Sequence, residues 1–225
     1  MDTTAILFVV AGGLAVGDWA AVATGRTRVE YVCKPATLAA LVAAAVVADL
    51  DAAVHWWVVA ALALGLAGDV ALMLCADSAD RWFLVGLAAF LLGHAAYIVA
   101  FLRYGVQGWQ VLAGALVAVG VGGLALPGAI RGAVRQQGRE FGLLVACYAV
   151  VIAVMAAAAA GTTRVPTAIG GALFVVSDAV LSRERFVGKA VLGRIPVGEL
   201  AVIVTYHAAQ ALILLGLLGE SWAQV

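Results

Sequence analysis

Charge is scarce in this chain of 225 residues: 12% of its residues are charged, against 65% that are hydrophobic. Soluble domains are about a quarter charged and about half apolar. Lys and Arg number 13 and Asp and Glu number 13, so there is no basic excess to hold nucleic acid. Histidine is also sparse, with only His55, His94 and His207, and none falls in HxxxH or HExxH spacing. That speaks against a zinc site, and no metal is expected. No GxSxG elbow is present, so a serine-hydrolase reading has no anchor. Cys33, Cys75 and Cys147 have no CxxC spacing and lie in or beside apolar runs, which makes them packing residues. The chain opens Met1-Asp2-Thr3-Thr4 without a basic region, so a cleaved leader is not expected and the first apolar run is taken as a helix.

What remains is apolar sequence, with a mean hydropathy of +1.10. A spanning helix needs ~20 mostly apolar residues. Eight runs qualify: Ala5–Thr24, Pro35–Ala48, Val54–Cys75, Trp82–Leu102, Trp109–Leu126, Phe141–Ala160, Val165–Leu181 and Val197–Leu218. Charge, Gly or Pro bounds each, including Asp77 and Asp80 after the third, Pro127 after the fifth and Arg183 to Arg185 after the seventh. The second and seventh runs are short. The expected fold is all-α, one integral membrane domain over residues 1–225 with eight transmembrane helices.

The basic residues orient it. Eleven lie in connections after odd-numbered spans: Arg26, Arg28, Lys34, Arg81, Arg131, Arg135, Arg139, Arg183, Arg185, Lys189 and Arg194. Only Arg103 and Arg164 lie on the other side. The positive-inside rule then puts both termini outside the cytoplasm, in a membrane expected to be a bacterial inner one. Trp56, Trp57, Trp82, Trp109 and Trp222 fall near span ends, as an interfacial belt does. Gly114, Gly120, Gly122 and Gly123 on the fifth span would allow close helix approach.

Ionisable residues inside spans are costly and usually face a bundle interior. Asp69 and Asp178 have apolar flanks, so a solvated surface does not explain them. A helix–helix hydrogen bond is the plain alternative for Asp69, and a surface salt bridge with Arg183 or Arg185 for Asp178. Both carboxylates sit near the inner ends of inward-running spans. If the third and seventh spans pack together, the two share one pocket, where their proton affinities are driven apart and one can serve as acid while the other stays ionised. On the fourth span Phe83, Gly86, Phe90, His94 and Tyr97 are spaced 3, 4, 4 and 3, a single helical stripe. On the eighth, Tyr206 and Gln210 line one stripe with Glu199 and Ile203. Ser177 points to a different face from Asp178. Asp18, Glu199 and His207 receive no role, and Asp49 and Glu199 read as interfacial.

Four stretches in order then resemble the YhhN-like lysoplasmalogenase family. They are Gly68-Asp69-Val70-Ala71-Leu72-Met73; Phe83-x2-Gly86-x3-Phe90-x2-Gly93-His94-x2-Tyr97; Gly171-Ala172-Leu173-Phe174-Val175-Val176-Ser177-Asp178; and Thr205-Tyr206-His207-x2-Gln210, with Lys34-Pro35 before them. The resemblance implies an eight-helix hydrolase without a cofactor. It would cleave the vinyl ether of a lysophospholipid substrate to a fatty aldehyde and a glycerophospho-alcohol. It maps two catalytic aspartates onto Asp69 and Asp178. His94, Tyr97, Tyr206, Gln210 and Ser177 would support them, and Lys34, Arg81 and Arg183 would hold the phosphate. Two other classes compete. A proton-coupled transporter would also carry intramembrane carboxylates, although no repeat or broken-helix pair is evident. A non-catalytic lipid-binding membrane protein would tolerate loss of both aspartates. The partners expected are membrane lipids and no nucleic acid; oligomeric state is left open.

Overall fold

The computed structural model describes residues 2–75 and 81–218; Asp77, Asp80 and Trp222 lie outside the described residues. Among those described there are eight helices: α1 (Thr3–Thr24), α2 (Thr27–Val47), α3 (His55–Met73), α4 (Arg81–Tyr104), α5 (Gly108–Gln137), α6 (Arg139–Gly161), α7 (Val165–Phe186) and α8 (Val197–Leu217). Each is long and apolar enough to cross a membrane. No named strand occurs among the described residues; a single antiparallel bridge, Leu192 with Ile195, ties the α7–α8 connection.

Local chemistry explains the helix ends. Asp2 caps α1 by accepting the Ala5 N–H at 2.7 Å. Gly25 stops the same helix in the left-handed conformation, φ 68°, its N–H returning to the Ala21 and Val22 carbonyls. Three helices run at least five residues beyond the spans expected from the sequence. The second begins at Thr27 and carries Pro35 inside it, the fifth passes through Pro127 to Gln137, and the seventh runs on to Phe186. Proline had stood as a boundary, and the arginines as loop. Neighbouring helices and side chains can compensate a proline's missing hydrogen bond inside a membrane helix, and arginine is itself a good helix former.

Sequence neighbours pair as hairpins: α1 with α2, α3 with α4, α5 with α6 and α7 with α8. The order then breaks. α4 packs against α6 rather than α5, and α6 and α5 both lie on α7. α8 closes the bundle by packing on α1 and α2. α3 packs on α2 and α4, so α4 fills the place beside α3 that direct α3–α7 packing would need. The main core joins Leu38, Leu41, Leu62, Tyr97, Phe101, Met155, Ile213 and Leu214, all essentially inaccessible. α5 is peripheral and buries only Ala118, Ala129, Gly132 and Ala133.

Of the four α5 glycines read as approach points, only Gly114 is one. A Cβ there would meet the Ala156 carbonyl oxygen at 2.9 Å, whereas Gly120, Gly122 and Gly123 have no atom within 4 Å of a built Cβ. Trp56, Trp57, Trp82 and Trp109 are exposed at the first turns of α3, α4 and α5, where interfacial tryptophans belong.

Candidate active site

Two groups of polar side chains occupy the apolar bundle, one around each of the expected aspartates. Asp69, on the last full turn of α3, is 2% exposed. Its Oδ1 pairs with Lys34 Nζ at 3.4 Å. Lys34 thus belongs to α2 and to the site rather than to a loop at its mouth. α8 supplies the roof. Tyr206 Oη and Gln210 Nε2 stand over Gly65, one turn before Asp69; a Cβ at Gly65 would come within 2.9 and 2.7 Å of them. Glycine is therefore required for this approach of α8 to α3. Tyr97 Oη donates to Gln210 Oε1 at 2.5 Å, fully buried. Asp18 of α1 is wholly buried as well, and Gly17 beside it packs on Cys33, the residue before Lys34.

Asp178, two turns before the end of α7, lies in the second group. His94 Nε2 of α4 is 3.7 Å from its Oδ2, just beyond hydrogen-bond range. The His94 ring is held edge-on by Phe174 at 5.0 Å and Tyr148 at 5.8 Å between centroids. Asp178 is part of the wall of a partly open cavity of about 100 Å³ between α4, α5, α6 and α7. Leu87, Ala118, Ile152 and Val175 make it apolar; Tyr148, Ser182 and Arg185 are its other polar lining groups. The Arg185 guanidinium lies 4.5 Å over the Phe83 ring, and its Nη2 is 3.6 Å from Cys75 Sγ.

The two aspartates therefore have different partners and do not share one pocket. Phe90 separates them. Its ring lines the Asp178 cavity, packs against Gly68 beside Asp69, and meets Tyr206 edge-on at 5.9 Å. A second, water-sized cavity of about 10 Å³ touches Phe90, and is bounded by Gly65, Gly93, His94, Tyr97 and Gln210. His94 thus faces both the small cavity and Asp178.

Other expected site residues fall elsewhere. Ser177 donates to the Val202 carbonyl at 3.1 Å and joins α7 to α8. Arg183 is exposed. Arg81 is exposed too, its guanidinium 5.7 Å from the Trp82 ring. Glu199 pairs with Lys189 at 2.6 Å in solvent, and this partner raises the Lys189 pKa. Sequence reasoning missed Arg185, Ser182 and Tyr148. Arg185 and Ser182 follow Asp178 by seven and four residues, so they share its helical face, whereas Arg183, five residues on, does not. Tyr148 was the sole phenol in an Ala- and Val-rich helix. No group of three or more His, Cys, Asp or Glu among the described residues is arranged to hold a metal.

Eight apolar helices with buried carboxylates, an imidazole and an apolar cavity define an integral membrane protein built around an internal polar site. The chain belongs to the YhhN family, whose profile matches residues 29–217, from the start of α2 to the end of α8. It matches no curated protein and no solved structure.

Proposed function

We propose that this protein hydrolyses the vinyl ether bond of lysoplasmalogens, releasing a fatty aldehyde and a glycerophospho-choline or -ethanolamine. Membership of the YhhN family supports the reading. The observation that carries it is the Asp178 cavity. One apolar slot holds a carboxyl group in its wall and a guanidinium two turns further along the same helix face. At 1.5 Å per residue the offset is about 10 Å. A single-chain lipid entering tail first would bring its ether linkage to Asp178 and its phosphate to Arg185.

The chemistry needs one acid and one base. Protonated Asp178 delivers its proton to the β-carbon of the vinyl ether, and an oxocarbenium ion forms at the α-carbon. Water from the small cavity adds to that carbon as ionised Asp69 takes its proton. The hemiacetal collapses to aldehyde as its hydroxyl proton passes to the departing glycerol oxygen. One turnover leaves Asp178 without its proton and Asp69 with one, and His94, between the small cavity and Asp178, returns it. Retraction of the Phe90 ring joins the two sides. Lys34 holds Asp69, while Tyr97 fixes Gln210 over the water. The basic ends of the helices fit a cytoplasmic mouth, reached from the inner leaflet of a bacterial inner membrane.

Purified protein incubated with a lysoplasmalogen should release aldehyde. Asp69→Asn and Asp178→Asn should each lower turnover by roughly 10²-fold or more, the usual size of an acid or base contribution, with unchanged melting and elution. Near-normal turnover in both variants would refute the mechanism. No aldehyde from the unaltered protein, together with solute uptake into proteoliposomes, would make it a carrier instead.

A further inference from the structure

Among the described residues, Asp18 is the one fully buried carboxylate that the proposed reaction does not use. It sits in α1, outside the stretch matched by the family profile. Neither of its oxygens has a hydrogen-bond partner. A purely structural aspartate in a membrane helix would be expected to bond a neighbouring helix. Instead Asp18 sits where α1 packs on α2: a Cβ at its neighbour Gly17 would lie 3.4 Å from the sulfur of Cys33, the residue before Lys34, and Asp69 is ion-paired with that same Lys34. On the α8 side, Tyr206 Oη stands over Gly65, one turn before Asp69, and His207, next to Tyr206 in the chain, is buried. Both His207 ring nitrogens are buried without a hydrogen-bond partner, and its ring centroid is 6.5 Å from that of Trp19, the residue after Asp18. Four helices thus converge on two carboxylates and one ammonium.

The charge balance decides what this group does. Two ionised carboxylates and one ammonium leave a net negative charge in a largely buried region, which is costly. One added proton makes the set neutral. Glu30, half-buried in the first turn of α2, is a further carboxyl group one turn before Lys34. Carboxylates coupled through a common cation titrate as a unit and not as separate sites.

We infer that Asp18, Lys34 and Asp69 form one proton-sharing unit, with Asp18 the positioning residue that sets the charge available to Asp69. This rests on the reading of Asp69 as the catalytic base. With the shared proton on Asp18, Asp69 is ionised and competent. After Asp69 takes a proton from water, the unit holds two, and it is the excess one that returns towards His94.

The test is infrared titration of the buried protonated-carboxyl stretch, with pH–rate profiles beside it. In an Asp178→Asn background, one such band is expected at neutral pH. It should vanish when either Asp18→Asn or Asp69→Asn is added, because each leaves one carboxylate for one ammonium. A band that survives Asp69→Asn but not Asp18→Asn shows Asp18 holding its own proton, and overturns sharing. A band that survives both overturns the whole assignment. With Asp178 intact, Asp18→Asn should move the Asp69-dependent limb of the kcat profile to lower pH by about one unit, a tenfold change in proton affinity, with KM little changed. An unmoved limb refutes the positioning role. If Asp18→Asn does not fold, Lys34→Met replaces it, and a second carboxyl band is expected; its absence overturns the inference. If no aldehyde forms from any protein, catalysis by Asp69 fails, and the infrared bands still decide whether the proton is shared.

Discussion

Replacement of Arg185 by glutamine removes the charge at the far end of the Asp178 cavity while keeping much of the side chain's length. In the structure this guanidinium is weakly committed. It rests on Phe83 at 4.5 Å and approaches Cys75 Sγ at 3.6 Å, and its Nε has no hydrogen-bond partner. Its donors are therefore available to a phosphate. A charge-assisted hydrogen bond contributes about 1.5–3 kcal/mol. At about 1.36 kcal/mol per factor of ten, Arg185→Gln should lower kcat/KM roughly 10- to 150-fold. The phosphate does not react, so the contact is equal in ground and transition states and the loss should appear in KM, with kcat nearly unchanged. The assay couples released aldehyde to a dehydrogenase and follows NADH. Two controls sharpen it. An alkenylglycerol without phosphate should show no difference between the two proteins. Arg183→Gln, exposed and off the cavity face, should leave KM alone. Equal KM for Arg185→Gln and the unaltered protein, or an equal rise in Arg183→Gln, would refute the assignment of the phosphate to Arg185.

Two further outcomes test the packing that holds the site. Tyr97→Phe deletes the donor of the 2.5 Å bond to Gln210 and leaves a buried acceptor unpaired, at about 1–3 kcal/mol; thermal unfolding should fall by several degrees, and an unchanged midpoint would show that the bond is not formed. Gly132→Ala drives a methyl group into the backbone carbonyl of Phe186, where overpacking costs about 1–3 kcal/mol. Because this contact seats α5 on α7 beside the cavity mouth, both the melting midpoint and KM should change, whereas Gly120→Ala, with open space around it, should change neither.

The helices were legible because composition alone sets them: runs of apolar residues leave the backbone no choice in a bilayer but to bond within itself. Their ends were less so. Pro35 and Pro127 are terminators in water, yet here they sit inside α2 and α5, and that displaced Lys34 from a loop to the side of Asp69. The two aspartates were visible from their flanks, but their partners were not, because partnership depends on helix order. Nothing local in the sequence says that α6, not α5, packs beside α4. That single inversion puts Tyr148 against His94 and puts Phe90, rather than a second carboxylate, against the cavity of Asp178. Arg185 differs in kind. Its place was recoverable from helical periodicity, since seven residues return to the same face and five do not.

The separation of the aspartates has a chemical consequence. Two carboxylates in one pocket would divide a proton between them by mutual repulsion. Here each has different neighbours, Lys34 for Asp69, and His94 with the apolar cavity wall for Asp178. An ammonium held against a carboxylate favours its ionised form, which suits a base, whereas an apolar wall favours the protonated form, which suits a donor to carbon. The proposed mechanism accordingly takes Asp178 as the acid and Asp69 as the base, and it requires Phe90 to move in every turnover. Phe90→Ala should open the partition permanently. Turnover should then be kept or raised while water reaches the apolar slot, and binding of the lipid tail should weaken by the lost aromatic contact. A Phe90→Ala protein with unchanged KM and sharply reduced kcat would mean that the ring positions the ether instead of separating the two carboxylates.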